Sequence, residues 1–243
     1  MTKTNQSMVQ EFLCDSREAL FEKVAKRCAL QLTRGVEKQG RASFIVPGGS
    51  TPGPVFERLS KMSILWHNVL VSPSDERWIS TEHEASNQKL IEQTLLINQA
   101  ADARLMPLKN DAATPAEGEL QAEKNVSELE QPFDVTMVGM GGDGHFASLF
   151  PGCPQIEEAL EPKLTKKCIG IDATGCPVAG DYPFRMSLTL SAILNSKVVI
   201  LLVTGKEKLD VIRQAAKANN PLDKPVASLL NQNDTPVEVY WAE

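Results

Sequence analysis

Four short apolar runs, each followed at once by a loop rich in glycine and charged residues, constrain this sequence more than any other feature. The runs are Phe44–Val46, Val69–Val71, Val135–Val138 and Val198–Val203. Behind them stand Pro47–Pro52 (PGGSTP), Ser72–Arg77 (SPSDER), Gly139–His145 (GMGGDGH) and Thr204–Lys208 (TGKEK). Runs this short read as strands, and the last, without a polar face, reads as a central strand covered on both sides. Helical patterns fall between them. Ser16 is placed to cap a helix with Leu20, Val24, Cys28 and Leu32 at i+4 spacing, and Gly40 to close it. Further helical patterns cover Asn87–Asn98, Pro115–Leu129 and Lys206–Ala218. Alternation of this kind predicts crossover connections and a mainly parallel α/β sheet. Pro107–Gly118 is the only linker-like stretch, and the strands on either side of it carry the same loop chemistry. The chain, residues 1–243, is therefore read as a single domain. In an open parallel sheet, ligands bind beyond the carboxyl ends of the strands, which makes these four loops the candidate site.

Composition excludes several classes. The formal net charge of −6 argues against a nucleic-acid surface, so an anionic ligand has to be caught by a local cluster of cations. No apolar stretch reaches the length of a membrane span, since the one around Ile193–Val203 is broken by Asn195, Ser196 and Lys197. The five cysteines lack metal or redox spacing and follow no signal-peptide pattern, which suits a reducing, cytoplasmic setting.

The Gly139–Gly144 stretch matches the G-x-G-x-x-G dinucleotide fingerprint in form but not in context. That motif opens a full crossover helix, whereas Pro151, Gly152 and Pro154 leave room for barely two turns. What the loop offers is backbone amides close to a ligand, with His145 at its end and Asp143 two residues before it. An imidazole so placed is a candidate proton carrier near neutral pH. His67 and His83 have no cysteine or histidine at metal spacing, so no metal site is expected. The Gly48–Gly53 loop lacks the lysine of a P-loop and has Pro52 where a nucleophile elbow needs glycine. Its Gly49, Ser50 and Thr51 amides and hydroxyls, ahead of a helix starting near Pro52, instead make a phosphate nest. Asp75-Glu76-Arg77 and Lys206/Lys208, each standing after a strand, suit a polar, anionic, hydroxyl-rich ligand, a sugar phosphate, while spacing alone leaves the role of Arg185 open.

These segments resemble the 6-phosphogluconolactonase family. Val46–Pro52 is similar to its strand-GGSTP segment, Asp75-Glu76-Arg77 to its DER, and Gly139–Gly152 to its GMGxDGHxASLFPG. Arg185–Thr189, Thr204–Lys208 and His83–Asn87 resemble its R-x-T/S-L-T, TGxxK and HxxSN stretches. The resemblance implies a doubly wound, Rossmann-like fold, no metal or organic cofactor, and hydrolysis of 6-phospho-D-glucono-1,5-lactone to 6-phosphogluconate. It assigns water activation to His145, and substrate or phosphate contacts to Gly49, Ser50, Thr51, Arg77, Arg185 and Lys208. Either Asp75 or Asp143 is placed to orient the imidazole. Two departures from the pattern are Ser74, where glycine is common, and Phe146, a change expected at the site's wall. The related glucosamine-6-phosphate deaminases carry GHIAFNEPG and a DEY tyrosine where this chain has Gly144–Pro151 and Arg77. A non-catalytic sugar-phosphate sensor would need an output module, for which the chain has neither helix-turn-helix room nor a basic surface.

Overall fold

The computed structural model describes residues 8–243. Its strands are β1 (Val9–Leu13), β2 (Ala42–Val46), β3 (Val69–Pro73), β4 (Asp75–Arg77), β5 (Arg104–Leu105), β6 (Val135–Val138), β7 (Cys168–Asp172), β8 (Phe184–Leu188), β9 (Val199–Thr204) and β10 (Val237–Ala242). Its helices are α1 (Arg17–Gln39), α2 (Gly53–Leu59), α3 (Asn87–Thr94), α4 (Pro115–Ser127), α5 (Ile156–Ala159), α6 (Leu190–Leu194), α7 (Lys206–Ala218) and α8 (Ala227–Leu230).

Seven strands form one sheet in the order β1-β10-β9-β6-β2-β3-β5, and every neighbouring pair is parallel. Strand β9 shows why such a sheet needs unbroken apolar runs. Val199, Leu201 and Val203 enter the buried cluster on one face, and Ile200 and Leu202 the cluster on the other. With helices covering both faces, neither side of the strand can be polar. From β2 the chain builds outward through β3 to β5, and from β6 the other way through β9. The order therefore reverses between β2 and β6, and that switch point is where ligand crevices open in sheets of this type.

The expected helices form, with ends set by local chemistry. Ser16 Oγ accepts the Ala19 N–H at 3.2 Å, and α1 closes at Gly40, whose φ is 79°. The buried stripe of α1 includes Leu20, Val24, Cys28 and Leu32. Helix α4 starts from Thr114 with Pro115 in its first turn, and α7 spans the predicted Lys206–Ala218. Helix α3 stops at Thr94, short of Asn98; the Thr94 hydroxyl donates back to the Leu90 carbonyl at 2.6 Å, competing with the helical ladder.

The second sheet is the main departure from expectation. Asp75-Glu76-Arg77 is not a loop but strand β4, antiparallel to β8, which in turn pairs with β7. Ile169, Ile171, Met186 and Leu188 of this small sheet join the same buried cluster as one face of the large one. The small sheet thus packs as a flap beside the carboxyl edge of β2 and β6. Phe146, expected at the site wall, is fully buried in that cluster.

Candidate active site

A cavity of about 240 Å³ lies over the switch point. Two glycine loops floor it, one leaving β2 and the other β6. In the first, Pro47–Pro52, no hydrogen bond among the described residues engages the main-chain N–H of Gly48, Gly49, Ser50 or Thr51. Successive bare amides of this kind form an anion-binding concavity.

The loop after β6 is built in the opposite way. The Gly141 N–H donates to the His145 carbonyl at 2.9 Å and the Gly144 N–H to the Gly141 carbonyl at 3.1 Å. Asp143 Oδ1 lies 2.6 Å from His145 Nδ1 and also accepts the His145 N–H at 3.2 Å. The imidazole packs on the Gly141 backbone so closely that a Cβ there would sit 2.3 Å from Nδ1. Phe150 closes the ring's other side, with centroids 4.5 Å apart. Burial by itself would raise the Asp143 pKa, but the hydrogen bonds and charge of His145 together hold it below the ordinary carboxylate value. Among the described residues nothing bonds to Nε2, the remaining ring nitrogen of this cavity-lining side chain.

The flap supplies the arginines. Arg77 on β4 stands directly opposite Arg185 on β8, a cross-strand pairing of like charges that costs stability and is kept where it lines a cavity. Carbonyls tether both. Arg77 Nη1 donates to Ala85 at 2.6 Å; Arg185 donates through Nε to Tyr182 at 2.5 Å and through Nη2 to Ala179 at 2.8 Å. Burial pushes the Arg185 pKa down and Arg77 adds to the shift, while Asp75 and Glu76 oppose it. The third cation, Lys208, lies in the first turn of α7. It is half-buried, forms no ion pair among the described residues, and is held below its usual pKa by burial against the pull of Asp143. Lys206, by contrast, is exposed and outside the cavity wall.

The two candidate aspartates separate cleanly. Asp143 holds the imidazole; Asp75 lines the cavity but spends its carboxylate on Ser148 Oγ at 2.6 Å and Ser74 Oγ at 2.9 Å. Glu76, between Asp75 and Arg77, faces away. It accepts the N–H groups of Arg77, Asn87 and Gln88 and the Ser86 hydroxyl, fastening the start of α3 to β4. Sequence reasoning passed over Asn87, which lines the cavity and is 2 % exposed. Its only signal was its place at the end of the His83–Asn87 stretch. Among the described residues, no three His, Cys, Asp or Glu side chains come together to hold a metal ion, and no helix is long and apolar enough to cross a membrane.

The seven-stranded parallel sheet with these loops at its switch point is an open α/β fold of the ligand-binding type. The family described as glucosamine-6-phosphate isomerases/6-phosphogluconolactonase matches residues 15–241, and the chain is a member of it. Two curated relatives are named for the second of these activities. The chain is 36% identical over 230 residues to a 6-phosphogluconolactonase of Caulobacter vibrioides, covering 94% of this chain and 95% of the relative. It is 34% identical to one of Rhizobium meliloti, covering 94% and 96%. The solved 6-phosphogluconolactonase of Shewanella baltica superposes with a TM-score of 0.90 at 37% identity, over 98% of each chain. A monomeric glucosamine-6-phosphate deaminase superposes at 0.76 but with 20% identity, a likeness of fold alone.

Proposed function

We propose that this cavity hydrolyses 6-phospho-D-glucono-1,5-lactone to 6-phosphogluconate, the lactonase step of the oxidative pentose phosphate pathway, by direct attack of water activated at His145. The observation that carries the mechanism is the His145 imidazole, locked through Nδ1 by Asp143 and lining a cavity shared with Arg77, Arg185, Lys208 and the bare amides after β2. A lactone carbonyl is an activated ester, so the reaction asks only that water be placed and deprotonated. Nε2 takes a proton as the water oxygen bonds to C1. When the bond from C1 to the ring oxygen breaks, the imidazolium returns that proton to the leaving oxygen. Asp143 fixes the tautomer and stabilises the transient imidazolium. The cations and the Gly49–Thr51 amides divide between them the phosphate and the oxyanion of the tetrahedral intermediate. Asp75, bonded to the Ser148 and Ser74 hydroxyls rather than to the imidazole, braces the cavity wall.

The five free cysteines fit a reducing cytoplasm. The deciding experiment adds purified protein to freshly generated 6-phosphogluconolactone and follows acid release, then repeats with glucosamine 6-phosphate and follows ammonia. Lactone turnover without ammonia is the expected result. Ammonia release at a comparable rate would move the chain to the other branch of its family.

A further inference from the structure

Asn87 is the one buried polar side chain of the cavity wall that the mechanism above leaves without a task. It is the first residue of α3, and its main-chain N–H donates to Glu76 at 2.8 Å. Its side chain reaches across to β4, where Nδ2 donates to the Asp75 carbonyl at 2.7 Å. The other end of the amide, Oδ1, is buried with no hydrogen-bond partner among the described residues. A buried acceptor without a donor is costly and calls for an explanation.

Gly48 supplies it. A Cβ built on Gly48 would fall 1.8 Å from Asn87 Oδ1 and 2.1 Å from its Cγ. The amide therefore occupies the space that any other side chain at position 48 would need, and the loop backbone rests on it. Gly48 is also the residue from which the bare N–H groups of Gly49, Ser50 and Thr51 fan out. Among the described residues no hydrogen bond runs within that loop to fix its shape, so its support has to come from outside.

We propose that Asn87 is the positioning residue of the anion loop: an amide clamped to β4 at one end and wedged under Gly48 at the other, which sets the direction of the Gly49–Thr51 amides toward a phosphate. The unpaired Oδ1 is the cost of a wedge that must touch carbon rather than bond to an amide, because an amide bonded to Asn87 would be lost to the ligand. The wedge also ties the phosphate loop to the strand bearing Arg77. This inference rests on the reading of the Gly49–Thr51 loop as the phosphate site.

A double-mutant cycle tests it. Asn87→Ala should raise KM for 6-phosphogluconolactone about tenfold, the scale of one buried polar contact, and erode the preference over unphosphorylated gluconolactone, with kcat changed less than about threefold. Gly48→Ala should raise KM at least as much, because its methyl collides with Oδ1. The double variant should recover part of that loss, since removing the amide opens the space. Thermal unfolding of each variant shows whether it is folded. Additive effects, or an Asn87→Ala variant with KM within twofold of wild type, would overturn the proposal. Lys208→Ala separates the two failures. If Lys208→Ala weakens the preference for phosphorylated substrate while the cycle stays additive, only the wedge is wrong. If neither alters that preference, the phosphate reading falls with it.

Discussion

The two glycine loops of the switch point sit side by side and are built on opposite principles. The loop after β6 pairs its groups internally, through Gly141 to His145, Gly144 to Gly141, and Asp143 to both the ring and the main chain of His145. In the loop after β2 the N–H groups of Gly48–Thr51 find no partner among the described residues. The contrast follows from what each must do. A general base gains from a ring already oriented, and here Asp143 and the turn from Gly141 to His145 hold it. An anion site works only if its donors are still free, so the loop must be held by contacts that use no donors.

The largest effect expected from breaking this contrast is on the braced side. His145→Ala should lower kcat by about 10²–10⁴-fold, the usual range for losing a general base, in a protein whose thermal unfolding is little changed. Turnover near wild type in a folded variant would refute the assignment. Asp143→Asn comes next, with kcat down between about tenfold and a thousandfold as the imidazole loses its fixed tautomer.

That second variant also has a pH signature. The folded-state pKa of Asp143 lies below the ordinary carboxylate value, so its contribution to stability is fully present above about pH 4 and is lost as pH falls through the depressed value. The stability gap between wild type and Asp143→Asn, read from denaturant midpoints, should therefore be widest near neutrality and close in acid. A gap that widened toward low pH would contradict the pairing.

On the open side the effects should be smaller and should fall on binding. Removing Lys208 or Arg77 should cost roughly 1.5–3 kcal/mol, the range for hydrogen bonds to charged groups, seen chiefly as a higher KM. Wild-type KM and unchanged preference for phosphorylated lactone in both variants would place the phosphate elsewhere. Ser50→Ala should be the mildest, raising KM modestly and leaving kcat within about tenfold, because a binding contact is lost and the chemistry is not. A loss of kcat as deep as that of His145→Ala, or a gluconyl ester on Ser50 seen by intact mass after acid quench, would instead make Ser50 a nucleophile.

How much of this was legible from the residues depended on range. Strands β2, β3, β6 and β9 were visible because a doubly covered strand is mostly apolar. Helices α1, α4 and α7 were visible because their caps and stripes lie within a few residues of one another. Strands β4, β7 and β8 were not, since a short antiparallel strand with a residue such as Asp75 or Arg185 in it looks like a charged loop until its partner is known. Strand β1, half-exposed at the sheet edge, gave no stronger sign.

The same division runs through the site. The sequence by itself determined the chemical inventory and its rough location: a histidine ending a glycine loop, a Gly-Gly-Ser-Thr nest, and cations placed after strands in an acidic chain, because loop chemistry and strand periodicity are local properties. Only the tertiary structure decided between Asp75 and Asp143, set Arg77 against Arg185, and put Asn87 under Gly48. The partners of Asp75, Arg77 and Asn87 lie 73, 108 and 39 positions away along the chain, at Ser148, Arg185 and Gly48. Contacts at that separation are set by strand pairing and by how helix, loop and sheet pack together, and neither leaves a period in the sequence to read.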